Sequence, residues 1–160
     1  MKCLKNILAI CLSLLMLASI LTISAGAFKP SEADYIVERW RMQELSFTST
    51  ADYANPFGDI ELDVIFTGPD NVTMVMPAFW DGGDTWKVRF APTELGLWTY
   101  ESFCSNEADA GLHGLGGTIT CVPYEGDLDI YQRGFVKAVP DTRYFVYADG
   151  MPFFYLGDTH

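Results

Sequence analysis

Basic residues are scarce in this chain. Lys and Arg total 10 against 21 Asp and Glu, a formal net charge of −11. Such a surface repels polyanions, so nucleic acid is excluded as a partner. Histidine occurs only as His113 and His160, too few for most metal sites. No C-x-x-C, H-E-x-x-H, P-loop or G-x-S-x-G pattern is present, which leaves no motif for metal, phosphate or nucleophile chemistry. No cofactor, no metal and no catalytic residue is therefore expected. Length is short as well: 160 residues fall far below the ~250 of a (β/α)8 barrel. Apolar and aromatic residues are plentiful, at 49% and 14%, so a packed core can form and general disorder is excluded.

The longest apolar run lies at the N-terminus. Lys2 and Lys5 precede Ile7–Ile23, and Ala25-Gly26-Ala27 follows as a small-residue cleavage site. Residues 1–27 read as a secretory signal cut after Ala27, which implies a secreted or cell-surface location. The alternative, an uncleaved membrane anchor, is disfavoured by the placement of the cleavage site. Removing the leader takes away two lysines and no acid, leaving −13. It also removes Cys3 and Cys11, so Cys104 and Cys121 remain as an even pair. In an oxidising compartment the default expectation is one Cys104–Cys121 disulfide; two buried free thiols are the alternative.

Period-2 alternation dominates the rest, and no stretch sustains a helical repeat. Ile60, Leu62, Val64 and Phe66 share one face while Glu61 and Asp63 point the other way. Val72, Met74 and Met76 form a second inward set, and Trp86, Val88 and Phe90 a third. Trp98, Tyr100 and Cys104 share parity, as do Ile119 and Cys121, which places both cysteines on inward faces. Trp40 and Met42 have the opposite parity to Leu45 and Phe47, so a bulge or break is expected near Glu44. Turn signals at Asn55-Pro56, Gly68–Asn71, Asp81–Asp84, Pro92–Gly96 and Gly111–Gly117 recur every 8 to 15 residues or so. The chain is expected to be all-β, an immunoglobulin-like antiparallel β-sandwich over residues 28–126. Residues 127–160 form a separate segment. A hairpin over Arg143–Leu156 turns at Asp149-Gly150, and its second arm, Pro152–Leu156, is apolar on both faces, as a strand covered on both sides must be. Either the sandwich covers that arm or the chain is incomplete.

Single residues offer little chemistry. Asp81 and Asp84 flank two glycines and could ligate calcium, but an acidic turn is the ordinary reading. His113 reads as a solvated loop residue. Aromatic rings stack on the C–H faces of pyranose rings, yet Trp86, Trp98 and Tyr100 lie in inward registers and belong to the core. Trp80, beside the Asp81 turn, is the one tryptophan left open as a sugar contact.

A resemblance rests on Trp80-Asp81-Gly82-Gly83-Asp84-Thr85-Trp86-Lys87-Val88-Arg89-Phe90-Ala91-Pro92, on Gly96-Leu97-Trp98-Thr99-Tyr100, and on Asp109-Ala110-Gly111-Leu112-His113-Gly114. These runs resemble the immunoglobulin-like domain of unknown function that precedes an apiosidase-like (β/α)8 catalytic domain in secreted bacterial glycoside hydrolases. Arg143–Gly150 and Phe153–Thr159 resemble the opening hairpin and first strand of that barrel. The resemblance implies that Asp158 and Thr159 sit at the sugar-binding rim, because C-terminal strand ends line a barrel's active site. It assigns the catalytic acid and nucleophile to later strands, beyond His160. The chain is then expected to be the non-catalytic front of a secreted glycoside hydrolase acting on plant-type polysaccharide, as a truncated fragment. Its implied partners are its own missing catalytic barrel and, weakly, a polysaccharide or oligosaccharide. The alternative is a stand-alone carbohydrate-binding or adhesion domain.

Overall fold

The computed structural model describes residues 29–157, with side chains from Asp34 onward. The expected leader, Asp158, Thr159 and His160 lie outside the described residues. Eight strands build the sandwich: β1 (Lys29–Glu38), β2 (Gln43–Thr48), β3 (Leu62–Thr67), β4 (Thr73–Pro77), β5 (Phe79–Gly82), β6 (Thr85–Phe90), β7 (Gly96–Cys104) and β8 (Leu115–Val122). They form a five-stranded sheet, β1-β8-β7-β3-β4, and a three-stranded sheet, β2-β6-β5. All pairs are antiparallel except β1 with β8, which run parallel from Asp34↔Thr118 to Glu38↔Val122. The sandwich is as expected, and the parallel edge corrects its description as wholly antiparallel.

Alternation assigned the faces correctly. Ile60, Leu62, Val64, Phe66, Trp86, Val88, Phe90, Trp98, Tyr100, Ile119 and both cysteines are buried, and Met74, Met76 and Val72 pack against them half-buried. The two sheets meet at Phe90. Its ring stacks on Phe66 of the opposite sheet, centroids 3.8 Å apart and 4° from parallel, and meets the edge of Trp98 at 5.1 Å. The Trp98 indole N–H donates to the Glu94 carbonyl at 2.9 Å, so its one polar group is satisfied. Gly68 lies against the same indole; a Cβ there would come within 2.6 Å of the ring. The turn after β3 must therefore carry glycine.

The disulfide expectation is overturned. Cys104 and Cys121 are both buried free thiols. Their shared inward parity is real, but β7 and β8 pair as Gly96↔Cys121 through Glu101↔Gly116. Cys121 thus lies opposite the start of β7, whereas Cys104 ends it. At 3.2–3.4 Å per residue the two are about 26 Å apart along the sheet, against the ~7 Å limit for bridging. Burial raises both thiols above their ordinary range, Cys121 to about 11, which makes them unreactive.

The expected break near Glu44 falls earlier, at Trp40. This residue is left-handed, with φ of 69°, a conformation that costs a non-glycine residue about 1–3 kcal/mol. Its N–H donates to the Pro92 carbonyl at 2.9 Å. Its ring points towards the C-terminal segment, meeting the edge of Phe135 at 5.0 Å, and a Cβ on Gly134 would come within 2.6 Å of it. Arg41 over Tyr131, and Tyr131 against Tyr124, complete this anchorage.

The C-terminal segment holds a one-turn helix, α2 (Asp129–Arg133), and a small sheet of β9 (Lys137–Ala138), β10 (Phe145–Val146) and β11 (Pro152–Phe153). The expected hairpin turns at Asp149-Gly150, where Gly150 has φ of 91°. Beyond β11, Phe154, Tyr155 and Leu156 are 84%, 70% and 86% exposed. The sandwich does not cover them.

Phe90→Ala should cost about 3–5 kcal/mol, because it empties the contact between the sheets. Urea unfolding followed by tryptophan fluorescence would measure it. Without reductant, both Cys104 and Cys121 should react with a thiol reagent after denaturation and neither before; a chain with no thiol titre when unfolded would contradict the free-thiol assignment.

Candidate functional site

The chain passes from the larger sheet to the smaller between β4 and β5, at Ala78. There the Ala78 N–H donates to the Leu62 carbonyl at 2.8 Å, and the next residues, Phe79 and Trp80, begin the edge of the three-stranded sheet. A cleft of about 410 Å³ opens at this corner. Its floor is apolar, with Ile60, Leu62 and Trp86, and its rim carries Phe57, Trp80, Glu61 and Asp63.

Each rim residue is positioned locally. Phe57 sits on α1 (Pro56–Asp59), a single turn that Pro56 starts at the first helical position. The Asp59 carboxylate accepts from the Asn55 N–H at 2.8 Å and holds the turn closed. Phe57 is 77% exposed, yet its ring meets Trp80 edge to face at 4.8 Å and 86°. Trp80 is half-buried and packs on the core. Its indole N–H donates to the Gly83 carbonyl at 2.9 Å, so the Asp81–Asp84 turn fixes the ring. That turn needs glycine, since Gly82 and Gly83 have φ of 106° and 57°. Glu61 and Asp63 stand on the outward face of β3 and its lead-in, both exposed.

The cations nearby are already engaged. Lys87 Nζ lies 2.6 Å from Asp81 Oδ2 and 3.2 Å from Glu44 Oε1, and Arg89 Nε lies 2.9 Å from Glu44 Oε2. Arg89 and then Lys87 hold Glu44 below the usual carboxylate range. Asp81 and then Glu44 push the Lys87 ammonium up. Arg89 also covers the Phe79 ring at 4.9 Å. The Asp81 turn therefore has a lysine as its counter-ion, and among the described residues no cluster of three His, Cys, Asp or Glu could hold a metal.

Behind the cleft, the loop leading to α1 is tied down by a carboxylate that alternation could not reveal. Asp109, in the β7–β8 loop, is 1% exposed. It accepts from Ser49 Oγ at 2.6 Å, from the Thr50 N–H and Oγ1 at 2.9 Å each, from the Tyr53 hydroxyl at 2.9 Å and from the Gly111 N–H at 3.0 Å. Burial alone would raise its pKa, but these donors overcome it and hold the carboxyl at about 2. Gly111 lets the two loops touch: a Cβ there would clash with the Thr48 carbonyl at 1.9 Å. Leu112 is fully buried, and Gly114 has φ of 71°. Each chemically distinctive position of the Asp109–Gly114 run thus has a structural task. His113 is half-buried rather than solvated: its Nδ1 lies 3.2 Å from the Cys104 N and 3.1 Å from its carbonyl oxygen.

Of the residues expected at a site, Trp80 lines the cleft, while Asp158 and Thr159 fall outside the described residues. Phe57, Glu61 and Asp63 were not anticipated. Asn55-Pro56 was legible as a turn, and a proline-started helical turn bearing an aromatic was the available signal.

The comparisons with known proteins fit this geometry. Residues 36–105 match the family described as Domain of unknown function (DUF5060). That span contains the cleft and stops short of the Asp109 loop. Among solved structures, the chain is similar to a candidate glycoside hydrolase from Bacteroides vulgatus, with 31% identity and a TM-score of 0.62. The similarity covers 76% of this chain and 22% of that one, so the chain spans about a fifth of its relative. No curated protein matches. The chain is accordingly a β-sandwich with a match to this domain of unknown function and a likeness to part of a candidate glycoside hydrolase.

Asp109→Ala should cost about 3 kcal/mol by stranding buried donors from Ser49, Thr50 and Tyr53. Because the folded carboxyl titrates near 2 and an unfolded one near 3.8, its contribution is complete above about pH 4 and is lost as pH falls towards 2. Denaturant midpoints measured at pH 5, 3.5 and 2.5 should fall more steeply in the parent chain than in Asp109→Asn.

Proposed function

We propose that this chain is a non-catalytic β-sandwich module of an exported glycoside hydrolase, placed ahead of a (β/α)8 catalytic domain acting on plant-type polysaccharide. The observation that carries the reading is the run Phe154–Leu156. It follows the sandwich and its small hairpin sheet, is apolar on both faces, and stands 70–86% exposed. Apolar surface left in water forfeits about 25 cal/mol per Å², and a barrel strand is a setting that covers both faces of such a run. Similarity to a much longer candidate glycoside hydrolase supports the same reading. In this reading residues 1–27 direct export, and Asp158 and Thr159 border the sugar site of the catalytic domain. The exposed Phe57 ring beside Trp80 favours one further reading, a carbohydrate-binding domain that acts by itself.

The purified chain should release no product from aryl glycosides or pectic side-chain fragments. Joined to the remainder of the Bacteroides vulgatus protein, it should support hydrolysis. In that joined protein Phe154→Ser with Leu156→Ser should lower the melting temperature by several degrees, whereas the same pair should leave the melt of the chain alone unchanged. Turnover by the chain alone, or indifference of the joined protein to the double substitution, would overturn the reading.

A further inference from the structure

The corner cleft combines an exposed aromatic held at a fixed angle to a second one with two carboxylates that have no counter-ion among the described residues. We infer that this cleft is a saccharide subsite that takes uncharged sugar residues and rejects uronate or sulfated ones. The inference rests on the glycan-associated reading above and specifies the ligand.

The aromatic half supplies affinity. Phe57 is 77% exposed and Trp80 half-buried, their rings 86° apart at 4.8 Å, so together they form two walls of an L. A pyranose presents apolar C–H faces to such walls and hydroxyls at its edge. The ring positions are fixed before any ligand arrives, Trp80 by its bond to the Gly83 carbonyl and Phe57 by the closed Asn55–Asp59 turn. Little entropy then remains to be lost on binding. At this exposure Phe57 contributes little to the core, which leaves its ring face available to a ligand.

The carboxylate half supplies selection. Glu61 and Asp63 share the rim with Phe57, and neither is paired among the described residues. As acceptors they suit the hydroxyls at a sugar's edge. Towards a uronate they present like charge, with nothing to offset it: Lys87 is held by Asp81 and Glu44, and Arg89 by Glu44. A chain of net charge −11 adds to the repulsion at long range. Like charges facing each other across a contact weaken it strongly, and salt screens only part of that when they touch.

The test titrates the full chain with neutral hexaoses of glucose, xylose, mannose and galactose, and with hexagalacturonate, by tryptophan fluorescence and calorimetry. At least one neutral hexaose should bind, hexagalacturonate should not, and the neutral binding should be unchanged between 20 mM and 500 mM NaCl. Phe57→Ala should weaken the neutral ligand about tenfold, one stacking contact's worth, at an unchanged melting temperature. Trp80→Ala should weaken it further, and because Trp80 also packs on the core, the Phe57 variant is the decisive one. Glu61→Gln with Asp63→Asn should narrow the preference for neutral over acidic hexaose. Hexagalacturonate binding as tightly as any neutral sugar, or Phe57→Ala without effect, would overturn the inference. If no neutral hexaose binds while the joined protein still hydrolyses glycan, this inference fails and the module reading stands.

Discussion

Two sheets of unequal width pack on each other around one aromatic side chain, Phe90. Phe90 on the central strand of the three-stranded sheet stacks flat on Phe66 and meets the edge of Trp98, both on the five-stranded sheet. A buried aromatic contact of this kind contributes beyond its area, and the rest of the sandwich is arranged around it. Gly68 is a glycine because its turn passes over the Trp98 indole. The narrow sheet covers only part of the wide one, so the chain must cross between them at an exposed corner. The cleft is a consequence of that crossing.

A second constraint shapes the loops. Asp109 gathers donors from Ser49, Thr50, Tyr53 and Gly111, binding the β7–β8 loop to the segment that leads into α1. The carboxylate is far from the rim in sequence and makes no contact with Phe57. Its effect is indirect: it fixes the start of the loop whose end carries that ring. Asp59 and the Gly82-Gly83 turn fix the other two components of the corner.

The C-terminal segment is attached by different means. Trp40 adopts a left-handed backbone and turns its ring away from the sandwich interior towards Phe135 and Gly134, with Arg41 over Tyr131 beside it. The conformational cost at Trp40 is offset by its hydrogen bond to Pro92 and by these ring contacts. The segment so anchored ends in an apolar run that faces solvent, which sets it apart from the sandwich, whose inward residues are buried or half-buried.

What the sequence determined by itself was the set of buried faces. Period-2 alternation is a local property, and burial of one face of a strand requires nothing more, so Ile60 to Phe66, Trp86 to Phe90 and Trp98 to Tyr100 were readable directly. Turn chemistry was equally local, and the glycines at 82, 83 and 150 stand where positive φ is needed. The tertiary structure decided everything that depends on register and on distant segments meeting. Parity put Cys104 and Cys121 on inward faces, but only the Gly96↔Cys121 pairing shows that they lie at opposite ends of the sheet. The parallel β1–β8 edge leaves no trace in either strand alone. Asp109 looks like any loop acid until Ser49, 60 residues away, is brought to 2.6 Å. The cleft, likewise, needs α1, the start of β3 and the β4–β5 crossing in one place, and no periodicity within any one of them records that meeting.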